Sequence, residues 1–118
     1  MQTRCVFCGI VQGLKPALRV YEDDRVLAFL DIHPSTPGHT LIIPKVHEAR
    51  LEDLPEEDAA ALFRALHRLV GRIRAAVDAP ASTVGINNGP ESGQEVPHVH
   101  IHVIPRSSQD RGGIVQGI

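Results

Sequence analysis

The stretch that decides the fold is "PHVHIHVIPR", residues 97–106. Three histidines, His98, His100 and His102, occupy every second position of an otherwise aliphatic run. Because a β-strand sends alternate side chains to opposite faces, the spacing predicts a strand with three imidazole rings on one face. The aliphatic residues between them are expected on the other face, in the core, and Pro105 is expected to end the strand.

Working outward, the rest of the chain is typical of a small α+β domain. Residues 19–32 predict two strands joined by an acidic turn, and residues 40–45 and 82–87 predict one strand each. Residues 54–80 predict one long helix, because apolar residues recur at steps of three and four behind an acidic first turn. The order strands, helix, strands indicates an antiparallel sheet in a single domain over residues 1–118.

Composition excludes several classes of protein. A formal net charge of −2 argues against a general nucleic-acid binder. The chain has no apolar run of transmembrane length and no signal peptide at its start, so we expect a cytoplasmic protein without a membrane partner. Its two cysteines, Cys5 and Cys8, are spaced C-x-x-C, which in a reducing compartment favours metal or redox chemistry over a structural disulfide.

The histidine face has three interpretations. A polar face without a role is one, but burying several imidazoles without partners is costly. A catalytic metal site is another, although the outer Cα atoms of three same-face residues lie about 13 Å apart, too far for one ion. The third is nucleophilic attack on phosphorus by His100, with backbone N–H groups of "NNGPESGQEV" (87–96) binding the phosphate oxygens.

The stretch "GPESGQEVPHVHIHVIPR" (89–106) strongly resembles the signature of the histidine triad family, His-φ-His-φ-His-φ-φ. The resemblance continues in "CVFCGI" (5–10), "VYEDDRVLAFLDI" (20–32), "PGHTLIIPKVH" (37–47) and the long helix. It implies a five-stranded antiparallel sheet with one long helix and a short N-terminal helical segment, paired as a homodimer. It also implies hydrolysis of nucleoside phosphoramidates or dinucleoside polyphosphates through a nucleotidyl-histidine intermediate, without a catalytic metal.

Carried onto this sequence, the resemblance gives catalytic roles to three histidines. His100 is the expected nucleophile, His102 the expected phosphate contact, and His39 is expected to border the same site. A third histidine at position 102 favours a hydrolase, because the nucleotidyltransferase branch of the family carries Gln there.

The resemblance also implies a nucleotide-binding set. Asp31 is expected to bind the ribose hydroxyls and Ile32 to line the base cleft. Asn87 is the expected amide beside the phosphate. The segment expected to wrap the α-phosphate comprises Gly93, Gln94, Glu95 and Val96. From the residues alone, Asp31, Asn87 and Gly93 are equally well explained as turn formers.

Glu95 departs from the family pattern, which has Ser or Thr at this position to help the leaving group. A carboxylate beside an anionic phosphate is repelled unless it turns outward or is protonated. The way in which the leaving group gains its proton is therefore open at this stage.

The cysteines complete a possible metal site. In zinc-bearing bacterial members of the family that resemble this chain, the ligands correspond to Cys5, Cys8, His47 and His98. Four such ligands suit structural zinc. A redox-active C-x-x-C and two buried cysteines without a role are the alternatives, the former without the βαβ pattern that usually surrounds it.

Together these observations predict a homodimeric hydrolase of purine nucleoside phosphoramidates or similar AMP conjugates, with structural zinc. A dinucleoside polyphosphate hydrolase or phosphorylase is the alternative enzyme, favoured by "GPESGQ" (89–94) and Arg106. The short chain and the C-x-x-C favour the phosphoramidase branch. A nucleotide-binding module without catalysis is the alternative of a different class.

Overall fold

The computed structural model describes residues 5–108, so the ends of the expected domain over 1–118 lie outside the described residues. The two helices and five strands are α1 (Val6–Val11), β1 (Arg19–Glu22), β2 (Val26–Leu30), β3 (Thr40–Pro44), α2 (Glu56–Ala76), β4 (Ala81–Ile86) and β5 (Ile101–Arg106). Short 3₁₀ turns lie at Leu51–Asp53 and Pro90–Ser92. Neither helix in this part of the chain is long and apolar enough to cross a bilayer.

The strands form one antiparallel sheet in the order β1-β2-β3-β5-β4. The expected five-stranded antiparallel sheet, single long helix and short N-terminal helix are therefore confirmed. The order brings the histidine strand β5 between β3 and β4, with the end of β2 two strands away.

The two faces of the sheet carry two separate cores. Strand alternation sends Val26 and Ala28 of β2 to one face, where α2 packs on them, and Leu27 and Phe29 to the other, where α1 packs. In the same way β5 and the residues before it send Val99, Ile101 and Val103 towards α2. The histidines between them therefore lie on the side of α1.

The predicted strand, which runs from His98 to Ile104 and is ended by Pro105, is wrong at both of its boundaries. β5 begins at Ile101 rather than His98 because Val99 N–H donates to Glu48 O and His98 N–H to Val96 O, so the chain turns before it joins the sheet. Pro105 does not end the strand, since it pairs with Ser82 of β4. Its missing N–H costs no ladder bond to β3, because β3 pairs with β5 only as far as Val103.

The long helix begins after Pro55, which is its N-cap, and carries three acidic residues in its first turn and Arg74 in its last. These charges complement the helix dipole as the sequence predicts. Gly71 does not mediate close packing, because a Cβ built there has no heavy atom within 4 Å.

Candidate functional site

A cavity of about 570 Å³ opens on the α1 side of the sheet. Its inner end is formed by His100 and His102 of the histidine segment and by His39, which directly precedes β3. Of the predicted nucleotide-binding residues, the following also line it: Asp31, Ile32, Asn87, Gly93, Glu95 and Val96. Residues far apart in the sequence thus meet around one cavity.

His100 is held in a single tautomer. Its Nδ1 lies 2.7 Å from the carbonyl oxygen of His98, and because a carbonyl can only accept, Nδ1 carries the proton. Neutral His100 therefore keeps its lone pair on Nε2. Phe7 packs edge-on against the ring, with the ring centroids 5.0 Å apart, and fixes its orientation. The arrangement leaves one unprotonated nitrogen on a rigidly held imidazole.

A backbone amide fixes His39 and His102 in the other tautomer, in which Nε2 carries the proton. Ser35 N–H donates to His39 Nδ1 over 3.0 Å, so the proton of neutral His39 is on Nε2. His39 Nε2–H in turn donates to His102 Nδ1, 2.9 Å away. His102 must then carry its proton on Nε2 and act as a donor there. At the start of β5, His100 provides a lone pair and His102 provides an N–H.

Burial keeps these rings uncharged at neutral pH. It lowers the pKa of His102 to about 4 and lowers the pKa of His100 and of His39 from the ordinary value of 6.5. For His100 the hydrogen bond to the His98 carbonyl and the charge of Asp31 act in the opposite direction but are smaller. The tautomers assigned from the hydrogen bonds are therefore those of neutral imidazoles.

Asp31 lies immediately after β2, beside the histidines. Its Oδ1 accepts from His33 N–H at 2.9 Å, and its Oδ2 is 3.6 Å from His39 Nε2. With β2 two strands from β5, its Cα is about 10 Å from the histidine strand. Ile32, next along the chain, is 80% exposed and presents an apolar side chain at the cavity. The Asp31 carboxylate and the apolar side chain of Ile32 thus line the cavity on the β2 side of the histidines.

The loop before the histidines forms the remaining wall. Gly93 has a φ of 103°, a left-handed conformation that L-residues rarely adopt, and it packs near the amide of Asn87. Gln94, a predicted ligand-binding residue, does not line the cavity. Its side chain instead accepts from Gly89 N–H and donates to Ala49 O and Val96 O, so it stabilises the loop. Glu95 lines the cavity and is exposed.

The predicted zinc ligands form a second, separate cluster behind the cavity. The ligand atoms of Cys5, Cys8, His47 and His98 all lie within 4.8 Å of one another. Cys5 Sγ is 3.4 Å from His98 Nδ1 and Cys8 Sγ is 3.2 Å from His47 Nδ1. Tetrahedral zinc holds sulfur and nitrogen ligands about 3.5 Å apart, so the four residues fit this ion.

The tautomer of His98 supports metal binding. Its Nε2–H donates to Pro44 O over 2.8 Å, which leaves the Nδ1 lone pair directed at the two sulfurs. Burial, followed by the hydrogen bond and charge of Cys5, raises the pKa of the Cys8 thiol to about 11. Metal binding at neutral pH would therefore release protons.

A third set of potential ligands, Asp31, His39 and His102, is also within reach of a single ion. Here the hydrogen bonds oppose metal binding. Ser35 N–H occupies the lone pair of His39 Nδ1, so His39 Nε2 carries a proton and cannot bind a metal as a neutral imidazole. The same test that supports the cysteine cluster therefore rejects this one.

Several cavity residues had no signal in the sequence. The following belong to α1, to the segment before β1 or to the strands: Val6, Phe7, Ile10, Lys15, Pro16, Ala17, Phe29, Leu30 and Leu41. They appear in the sequence as ordinary core or loop residues. Only the packing of α1 over β2 and β3 shows that they line a cavity.

Comparisons with known proteins agree with one family. The HIT domain model matches residues 12–109. Adenylylsulfatase HINT3 of Arabidopsis thaliana is 41% identical over 110 residues, which are 93% of this chain and 56% of that protein. Adenosine 5'-monophosphoramidase HNT1 of Saccharomyces cerevisiae is 38% identical over 118 residues, 98% of this chain and 70% of that protein. A Zn-bound histidine triad family protein from Mycobacterium smegmatis has a similar structure, with a TM-score of 0.89 at 41% identity over 97% of this chain and 83% of that one.

The buried histidines predict a pH dependence of stability. Because the pKa of His102 is about 4 in the folded protein and 6.5 in the unfolded chain, the unfolded state binds more protons between these values. Stability is therefore full above pH 6.5 and falls as the pH drops towards 4, by up to about 1.4 kcal/mol per pH unit for this ring. Denaturant unfolding of wild type and His102→Asn at pH 7, 6 and 5 measures it.

We expect His102→Asn to have the shallower decline over this range. The control is His67→Asn, which alters an exposed histidine of α2. Equal slopes in His102→Asn and wild type would show that His102 is not buried in its neutral form.

Proposed function

Because the chain belongs to the HIT domain family, we propose that it hydrolyses purine nucleoside phosphoramidates or similar AMP conjugates at the α-phosphorus, through a nucleotidyl-histidine intermediate. Two relatives bear the names of AMP-releasing hydrolases, which supports a nucleotide substrate. The observation that carries the mechanism is the 2.7 Å hydrogen bond from His100 Nδ1–H to the His98 carbonyl, since it leaves Nε2 free for attack.

In this proposal the nucleotide lies across the strands of the sheet. The α-phosphate is placed at His100 and His102, the ribose hydroxyls at the Asp31 carboxylate, and the base against Ile32. The separation of about 10 Å between β5 and β2 is within the reach of a nucleoside monophosphate. Asn87 and the backbone N–H groups of residues 93–96 bind the phosphate oxygens.

The first chemical step is attack by His100 Nε2 on the α-phosphorus. A nitrogen–phosphorus bond forms on the ring while the bond to the leaving group breaks, and the leaving group takes the electron pair and a proton from solvent water, which the proton lost by the attacking water of the second step replaces. The ring then carries a positive charge, and its Nδ1–H bond to the His98 carbonyl becomes stronger. His102 Nε2–H donates to a phosphate oxygen throughout.

The second step releases the product. Water attacks the same phosphorus after the leaving group has departed, the bond to His100 breaks, and AMP leaves with the electron pair restored to Nε2. The exposed carboxylate of Glu95 lines the cavity, and we place it on the side of the leaving group, where it would suit a cationic amine better than an anion.

A dinucleoside polyphosphate hydrolase is the second candidate, and Arg106 is the observation that favours it. This residue is buried, its Nε donates to Thr83 Oγ1, and its Nη2 has no hydrogen-bond partner among residues 5–108. Arg106 does not line the nucleotide cavity, but its positive charge acts on His39, which does, and would favour a more highly charged substrate there. Release of AMP from adenosine phosphoramidate, compared with cleavage of diadenosine polyphosphates, decides between the two.

We further propose that Cys5, Cys8, His47 and His98 hold a structural zinc ion. The Zn-bound relative and the four convergent ligand atoms support this assignment. When bound, zinc supplies a closed four-ligand site without a position for water. The four-residue cluster also immobilises His98, whose carbonyl oxygen accepts the hydrogen bond that orients His100.

The homodimer is proposed along β4 and the adjoining face of α2. β4 is an edge of the sheet, and Val84 on it pairs with Val103, which faces α2. Val84 is 43% exposed and Phe63 of α2 is 42% exposed. An unpaired strand edge flanked by exposed apolar side chains on the same side suits pairing with a second copy.

His100→Ala should reduce turnover of adenosine phosphoramidate by a factor on the order of 10⁴ or more, because it removes the covalent route. AMP binding should survive, since Asp31, Asn87 and the phosphate loop remain. Rapid quench and mass spectrometry of wild type should find an AMP adduct on the peptide that contains His100. The control is His67→Ala in α2, and turnover of His100→Ala within tenfold of wild type would refute the nucleophile.

Protein purified without added zinc should contain about one zinc ion per chain, as measured by elemental analysis. Cys8→Ala should lose the metal and melt at a lower temperature, while kcat is reduced rather than abolished, because none of the four ligands lines the cavity and the bond from the His98 ring to Pro44 O remains. Absence of zinc from the wild type, with both thiols reacting freely with a thiol reagent, would contradict the assignment.

Val84→Lys should convert a dimer to a monomer, because an edge lysine opposes strand pairing. Light scattering after size exclusion measures the mass. Val20→Lys is the matched control, since Val20 lies on β1, the opposite edge strand, and is 46% exposed. If Val84→Lys remained dimeric, or Val20→Lys alone became monomeric, the interface would not be at β4.

A further inference from the structure

Lys15 lies at the outer end of the nucleotide cavity, in the segment between α1 and β1. Among the lining residues that the structure describes, it is the only lysine or arginine. The side chains around it at this end are apolar, including Val6, Ile10 and Ala17. A single cation therefore stands in an otherwise apolar part of the cavity.

The sheet order places Lys15 on the base side of the proposed nucleotide. Leu30 N–H donates to Leu18 O, so the segment that precedes β1 runs beside the end of β2, where Asp31 and Ile32 lie. His102 on β5, and His100 just before that strand, are two strands from β2 in the other direction. A nucleotide with its phosphate at His100 and its ribose at Asp31 directs its base towards Lys15.

The side chain of Lys15 is positioned by α1. A Cβ built on Gly9 would lie 3.2 Å from both Cγ and Cδ of Lys15, so the alkyl stem packs against the helix where Gly9 has no side chain. The Lys15 backbone N–H also donates to Gly9 O. No hydrogen bond or ion pair joins its ammonium group to another residue in the 5–108 range. The ammonium group is thus held at the cavity and available to a ligand.

We propose that Lys15 makes the site select 6-oxopurines, guanine and hypoxanthine, over adenine. The proposal rests on the function proposed above. An ammonium group can only donate hydrogen bonds. Guanine presents two neighbouring acceptors, N7 and O6, on one edge, whereas adenine presents the N7 acceptor beside an N6 amino donor. Lys15 therefore attracts the 6-oxo group and repels the 6-amino group.

The size of the base preference depends on how far the Lys15 ammonium group is exposed to water. A cation that reads both acceptors of guanine in a desolvated groove discriminates strongly, but an exposed ammonium group is screened by water and salt. We therefore expect only a modest preference: guanosine and inosine conjugates should exceed adenosine conjugates about fivefold in kcat/KM. The preference should shrink as salt is raised.

The test compares guanosine, inosine and adenosine 5'-phosphoramidates as substrates of the full chain. Inosine lacks the 2-amino group of guanosine, so equal preference for both shows that the 6-oxo group is read. Lys15→Met keeps an alkyl chain over Gly9 and removes the charge, and it should bring the three kcat/KM values within twofold of one another. Lys15→Arg retains donors and should keep the order.

Lys45→Met is the matched control, because it removes one positive charge at a residue that pairs with Glu22 and does not line the cavity. It should leave the base preference of wild type unchanged. A preference below twofold in wild type, or one that persists in Lys15→Met, would overturn the proposal. Guanosine preferred but inosine treated like adenosine would also overturn it, since the 2-amino group would then be what the site reads.

Binding separates this proposal from the proposed function. Calorimetric titration of His100→Ala with GMP and with AMP needs no turnover. Tighter binding of GMP, lost in the His100→Ala, Lys15→Met double variant, supports the role of Lys15 even if no phosphoramidate is hydrolysed. Hydrolysis of phosphoramidates with equal binding of GMP and AMP would leave the hydrolase standing and refute the selection by Lys15.

Discussion

The orientation of His100, the proposed nucleophile, depends on one fixed residue, His98. Its ring is held by Pro44 O on one nitrogen and by the two cysteine sulfurs on the other, and its backbone N–H donates to Val96 O. With the residue immobilised in this way, its carbonyl oxygen has a set position, and His100 Nδ1–H donates to it over 2.7 Å. The free lone pair of the proposed nucleophile is thus a consequence of packing around a neighbour that does not line the cavity. This also explains why the metal cluster and the cavity are adjacent in sequence yet separate in space.

Hydrogen bonds to the rings, more than residue type, determine what each histidine can do. His98 and His39 are both buried and both belong to clusters of metal-binding side chains. A carbonyl acceptor leaves His98 a lone pair for a metal, whereas a backbone donor from Ser35 leaves His39 with an outward N–H. The latter N–H sets the tautomer of His102 in turn. Because the backbone groups next to them differ, identical side chains are thus suited to different roles: His98 as a metal ligand, and His39 and His102 as N–H donors.

Features that repeat within one element, such as a strand face or an amphipathic helix, could be predicted from the sequence. Features that depend on contacts between distant segments could not. The two-residue period of the histidine segment and the three- and four-residue steps of α2 identified the strand face and the helix, because these patterns repeat within one element. The start of β5 was wrong because Val99 bonds to Glu48, a contact that local pattern does not contain. The motif predicts that Gln94 binds the ligand, yet its amide bonds to two backbone groups of the loop, in Gly89 and Val96, and to the carbonyl of Ala49. Lys15 and Phe7 were missed because only the docking of α1 brings them to the cavity.

In the proposed reaction, burial of His100 and His102 resolves a conflict between attracting the phosphate and attacking it. A protonated histidine attracts a phosphate more strongly, but its nitrogen has no lone pair with which to attack. Removal from water favours the uncharged ring, and the pKa of His100 and His102 is lowered accordingly. Attraction to the anion then has to come from N–H dipoles, and the tautomer of His102 provides one next to the nucleophile. In the proposed reaction, the two-residue alternation that runs from His98 into β5 therefore places the attacking lone pair and a donor side by side on one face, and neither group needs to carry a charge beforehand.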